Sequence, residues 1–230
     1  MDRRWKGFAL VGVVLAYSWI STATVRADQV VLYPSDAEGG ANAVRILSGG
    51  ATTNYVLQDI VSVYHRGGND QNSLILFDLS SLPAGKKITT ATLTLMHDTA
   101  IYPTGDNFED TQVFRVAKPW VQWQVTWNRA SGYRTSNGVP WDQPGGDFVG
   151  IQGLTDGSDP YADAVLGLDD NSPGIFPFPI DVTALVNEWY TGTSPNYGML
   201  VTGLEGNGLH FHADRGDDPT LYPTLTIVYQ

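Results

Sequence analysis

Between residues 73 and 95 the pattern of apolar and polar positions changes once, around a turn. Leu74-Ile75-Leu76-Phe77 is apolar throughout, as a strand covered on both faces would be, whereas Ala91-Thr92-Leu93-Thr94-Leu95 alternates and buries one face. Between them Pro83 and Gly85 supply a fixed and a permissive φ, and Lys86 and Lys87 solvate the loop. Strand-like runs recur at 30–33, 43–47, 60–64, 73–77, 91–97, 111–117, 198–201, 209–212 and 224–229, separated by turns rich in Gly, Asn, Asp and Pro. Leu74, Leu76, Phe77, Leu93, Leu95, Val116, Leu185, Leu200 and Leu225 are the expected core, with the 74–77 and 91–95 runs paired or facing each other.

One stretch keeps a different period. Val182, Leu185, Val186 and Trp189 fall at i, i+3, i+4 and i+7, with Asp181 placed to cap the first turn and Gly192 to end the last. The pattern predicts an all-β, jelly-roll-like antiparallel β-sandwich with one short helix over 182–189. From Asn128 to Phe176 the periodicity fails: Gly, Asp, Ser, Pro and Asn dominate, and a loop of this length is expected to be functional or mobile. No internal repeat and no dividing linker is visible.

The N-terminus places Arg3, Arg4 and Lys6 before an apolar run from Phe8 to Ile20 and ends Val25-Arg26-Ala27, the order of a secretory signal peptide cleaved near Ala27. The run is shorter than the roughly 20 residues a membrane span needs. Residues 1–27 are therefore expected to be a signal peptide and 28–230 a single domain, secreted or at the cell surface, with no membrane span after cleavage. The chain contains no cysteine, so no disulfide can brace it in an oxidising compartment. Without the leader, which holds Arg3, Arg4, Lys6, Arg26 and Asp2, it carries 9 basic and 23 acidic residues and a net charge of −14. Such a charge repels nucleic acid and anionic membranes, which excludes nucleic acid as a partner.

Four blocks carry a family resemblance. Phe77-Asp78-Leu79-Ser80-Ser81-Leu82-Pro83 before a Thr- and Leu-rich strand, the aromatic block from Val113 through Trp120 to Trp127-Asn128, the helix Asp181 to Trp189, and the closing run Asp218-Pro219 to Tyr229 together resemble DNRLRE-type domains of secreted and surface proteins. The resemblance implies a jelly-roll-like sandwich and kinship with carbohydrate-binding modules, among them binders of alginate. Polyanion binders of that kind would use Lys and Arg, so the acidic chain favours a neutral glycan, or an anionic one bridged by calcium.

The candidate chemistry lies in two residue classes. Trp123, Trp141 and Tyr133, interleaved with Gln122 and Arg129, combine faces that stack on a pyranose ring with groups that bond its hydroxyls. They are the expected ligand-binding residues, while Trp120 and Trp127, inside the family blocks, read equally well as core. Acidic loops supply hard oxygen ligands suited to calcium: Asp106, Glu109 and Asp110, and Asp169 with Asp170, are the candidate metal residues, although no cluster matches the calcium-loop pattern. His210 and His212 share one face of a strand with Asp214 beyond, a spacing read as strand histidines facing solvent rather than as metal ligands. No paired carboxylates, nucleophile elbow or cysteine nominate a catalytic centre, and no organic cofactor is implied. The expectation is a non-catalytic module that binds an extracellular polysaccharide, with calcium assisting; the other reading is a structural or adhesive surface protein without a sugar site.

Overall fold

The computed structural model describes residues 27–34, 42–65, 67–99, 108–167, 174–204 and 208–230. Among them the chain forms twelve strands and one α-helix: β1 (Asp28–Leu32), β2 (Ala43–Leu47), β3 (Ile60–Tyr64), β4 (Gln71–Ile75), β5 (Ile88–Asp98), β6 (Phe108–Val116), β7 (Phe148–Val149), β8 (Ala162–Gly167), β9 (Ile175–Asp181), α1 (Thr183–Thr191), β10 (Met199–Gly203), β11 (Gly208–His212) and β12 (Thr224–Tyr229). Every pairing is antiparallel. One sheet runs β1-β12-β5-β9 and the other β2-β4-β10-β6, continued beyond β6 by β8 and β7. The β3–β11 pair clasps the two together at one end, through Tyr64 opposite Gln71 and Phe211 opposite His97. The all-β sandwich with one short helix is the observed fold.

The apolar run of β4 is buried on both faces, and each face belongs to a different core. Ile75 and Phe77 point between the sheets, where they join Leu93, Leu95, Leu225, Phe178, Phe211 and the α1 residues Leu185, Val186 and Trp189. Leu74 points the other way. It sits in a row of facing residues across four strands, Val44–Leu74–Leu200–Phe114, that with Ile46 and Val116 forms the floor of a second core. The 74–77 and 91–95 runs do not pair, because β10 and β2 occupy both sides of β4; they face each other across the first core through Ile75, Phe77, Leu93 and Leu95. Leu76 is only half-buried, whereas the other eight expected core residues are buried.

The helix spans Thr183–Thr191. Asp181 accepts the Thr183 N–H at 2.9 Å and its hydroxyl at 2.6 Å, and Gly192, at φ 73°, takes the left-handed conformation that ends the last turn. Three strands lie within or begin at the end of the stretch where periodicity failed, the two-residue β7 among them. β8 falls inside the polar stretch, and β9 carries Pro177 and Pro179 at alternate positions, with Phe178 and Ile180 between them pointing inward.

Candidate functional site

The second core is roofed by the stretch 117–150, the polar and aromatic part of the chain. Val125, Ala130 and Trp141 belong to that core, and Trp120, Trp127 and Phe148 pack against it. The roof is ordered by its own bonds. Val121 N–H donates to Ala130, Ala130 N–H donates to Val139, and residue 129 bridges both 126 and 140. The Asn54 side-chain amide donates to the carbonyls of Gln122 and Val125, each at 2.7 Å, tying the roof to the 51–59 loop.

This arrangement sorts the expected binding residues. Trp141 is not a platform: it is 5% exposed, its ring fills the second core, and its Nε1 donates to Thr126 O at 3.0 Å. Its isolation among polar residues in the sequence hid a core role, because the core it fills lies outside the sandwich. Gln122 is likewise buried in the roof, away from an exposed surface. Trp123 is 46% exposed, with the Arg215 guanidinium 4.3 Å from the centre of one ring face. Tyr133 is half-buried, with Arg134 stacked at 4.7 Å, and Arg129 is half-buried, donating from Nη1 to Gly138 O at 3.2 Å.

Tyr133, Arg129 and Arg134 converge on one groove of about 450 Å³, completed by Thr52, Thr53, Thr126 and Thr135. Gln124, the residue after Trp123, holds the groove segment in place, accepting the Tyr133 N–H on its main-chain carbonyl at 3.1 Å and the Gly132 N–H on its side-chain oxygen at 2.9 Å. Arg134 is the one non-glycine residue with positive φ among the described residues, at 67°. Such a conformation costs on the order of 1–3 kcal/mol and persists where the surroundings hold it. Neither Arg129, Arg134 nor Arg215 forms an ion pair among the described residues, in contrast to Lys118, which bonds Asp142 and Asp147, and Arg115, which pairs with Glu188. In a strongly acidic chain, Arg129 and Arg134 thus meet in one groove without an ion pair, while Arg215, stacked on Trp123, lies within reach of the Asp214 charge.

Behind Trp123 the contacts continue inward. Arg215 N–H donates to Asp59 at 3.2 Å; the other Asp59 oxygen lies 3.7 Å from His212 Nδ1, and Asp98 lies 3.6 Å from His212 Nε2. His210 and His212 do share a face of β11, but both are half-buried rather than open to solvent. Burial, then the charges of Arg45 and His97, pushes His210 down to about 4, and burial pushes Asp214 up to about 6. The sequence signal for this cluster was the period-two spacing of His210, His212 and Asp214; its partners Asp59 and Asp98 come from distant strand ends that spacing does not link.

Of the candidate metal residues, Asp106, Asp169 and Asp170 lie outside the described residues, as does the side chain of Glu109; Asp110 is half-buried on β6. No group of three or more His, Asp or Glu among the described residues is placed to hold a metal ion.

A family model, the disaggregatase related repeat domain, matches residues 45–227. The chain belongs to this family. The match runs from within β2 to within β12 and leaves β1 outside it. No curated protein matches the chain. Membership places the molecule among repeat-type domains, while the DNRLRE likeness and the sugar-binding kinship rest on the sequence blocks alone. Among the described residues of this disaggregatase-related domain, no helix is long and apolar enough to cross a membrane.

Proposed function

We propose that this disaggregatase-related domain is a secreted, non-catalytic module that binds an extracellular polysaccharide on the roof of its second core, between Trp123 and the Arg129–Arg134 groove. The observation that carries the reading is the convergence of Tyr133, two arginines without an ion pair, and Thr52, Thr53 and Thr135 on one groove, a residue away from an exposed tryptophan. An open face of Trp123 supports a sugar ring, the hydroxyls bond its rim, and the guanidinium groups bind carboxylate or sulfate oxygens in a bidentate fork. The local cations reverse what the net charge favoured: the groove suits an acidic saccharide without a bridging ion. Calcium assistance, expected from the acidic loops, is a separate element of the proposal, as is secretion, which rests on the leader-like residues 1–27.

The test is binding to polygalacturonate and to its neutral methyl ester, as paired probes. The expected result is binding to the acid that weakens as salt rises and falls roughly tenfold or more in Arg129→Ala and Arg134→Ala. Equal binding to both probes, unaffected by either variant, would move the site off the groove. Binding to neither, together with unchanged behaviour on a broad glycan array, would favour the structural or adhesive reading, which the burial of Trp141, with Trp120 and Trp127 half-buried against the same core, supports in part.

A further inference from the structure

We propose that Asn137 is a self-modification site, that Arg129 promotes its reaction, and that the product shuts the groove to anions. The last clause rests on the reading of the groove given above; the first two do not. Asn137-Gly138 lies in an exposed turn that leads away from Arg134, and the side chain of Asn137 is exposed. The other Asn-Gly pair of the chain, Asn207-Gly208, has its asparagine outside the described residues. Among the described residues the Gly138 N–H makes no hydrogen bond, so the nitrogen that must react is not held by a partner. Ser136 Oγ lies 3.5 Å from the Asn137 side-chain oxygen, on the side from which a donor would polarise that carbonyl.

The charge nearby sets this pair apart from any other exposed Asn-Gly. Arg129 Nη1 donates to Gly138 O, and a Cβ added to Gly138 would fall 2.6 Å from the same nitrogen, so the guanidinium lies against the residue whose nitrogen attacks. Hydroxide removes the Gly138 N–H proton, and the adjacent fixed cation favours the anion so formed. The nitrogen then attacks Asn137 Cγ. The new N–Cγ bond closes a five-membered imide, the Cγ–Nδ2 bond breaks, and ammonia leaves with a proton from solvent. Water opens the imide at either carbonyl, giving aspartate or its backbone-shifted isomer; overall an amide and water become a carboxylate and an ammonium ion. The product is a fixed anion on the residue next to Gly138, whose carbonyl Arg129 holds, and there it competes with any acidic ligand for that guanidinium.

Peptide mapping of the purified full chain during incubation at mildly alkaline pH tests the chemistry. Asn137 should convert several-fold faster in the parent than in Arg129→Gln, with Arg129→Lys restoring most of the rate, and the parent rate should fall as salt screens the cation. A rate unchanged or raised in Arg129→Gln would overturn the role of Arg129, since a merely structural arginine would loosen the turn and speed the reaction. Should Arg129→Gln misfold, a salt-independent parent rate would do the same. An Asn137 that stays intact would overturn the site. For the last clause, Asn137→Asp should bind polygalacturonate several-fold more weakly than the parent. If Asn137 converts with the expected dependence on Arg129 but Asn137→Asp binds unchanged, the last clause is overturned and the modification stands; the groove reading itself fails where Arg129→Ala and Arg134→Ala also bind as the parent does.

Discussion

Two tryptophans eighteen positions apart, one between Gln122 and Gln124 and the other between Pro140 and Asp142, have opposite roles. Trp141 fills the second core and Trp123 lies over Arg215 with one face open. Trp141→Ala should therefore destabilise the domain by roughly 3–5 kcal/mol, read from denaturant unfolding, because it leaves a cavity and orphans Thr126 O. Trp123→Ala should change stability by less than about 1 kcal/mol and instead lower glycan affinity by about 1–3 kcal/mol. Asp214 gives a prediction in pH. Its carboxyl, held near 6 in the fold against 3.8 when exposed, is disfavoured as an anion; the resulting cost is absent below about 4 and complete above about 6. His210, depressed from 6.5 to about 4, acts oppositely, removing stability as pH falls through the same window. Each effect is on the order of 3 kcal/mol, so they largely cancel. Asp214→Asn should raise stability at neutral pH and leave a clear loss on acidification from pH 6.5 towards 4, measurable as melting temperature against pH; a curve parallel to the parent's would refute the burial cost.

Elements were legible where they obeyed a single period. The helix and its two boundary residues could be read because Asp181 and Gly192 each act through local backbone chemistry. β9 could not, since prolines at 177 and 179 argue against an ordinary strand, yet an edge strand tolerates them. In β9 they alternate with the inward Phe178 and Ile180 and pair with Met96 and Thr94 of β5, so the exposed rim of this sheet lacks two donors. That arrangement protects the edge. Replacing both prolines by threonine should leave the monomer folded and increase concentration-dependent association, seen by light scattering; association equal to the parent's would show that the edge is covered by other means.

For the whole molecule, what the sequence could not reveal was the number of cores. Leu74, Leu200, Phe114 and Val116 read as interior residues in either case, but whether an apolar strand face meets the opposite sheet or a roof of loops depends on tertiary placement. The aromatic block was visible and its division between scaffold and surface was not, because burial of Trp141 depends on the main-chain bonds of residues 121–145. The charge was similarly readable as a sum and not as a distribution. Calcium is decided at this scale: if an acidic loop binds it, excess Ca²⁺ should raise the melting temperature of the domain by mass action and chelation should reverse the shift. An unchanged melting curve over a wide Ca²⁺ range would remove the ion from the proposal.

The pairing of β1 with β12 sets Asp28 directly opposite Tyr229, while Leu32 and Leu225 meet at the far end of the ladder. Whatever is joined before Asp28 and after Gln230 therefore attaches at one corner. Tension between those attachments would load the terminal pair one rung at a time, opening the ladder like a zipper rather than shearing all five rungs together. Pulled from that corner, the sandwich would hang beside the line of force as a pendant, with its arginine groove carried on a body that bears little load until β1 lets go.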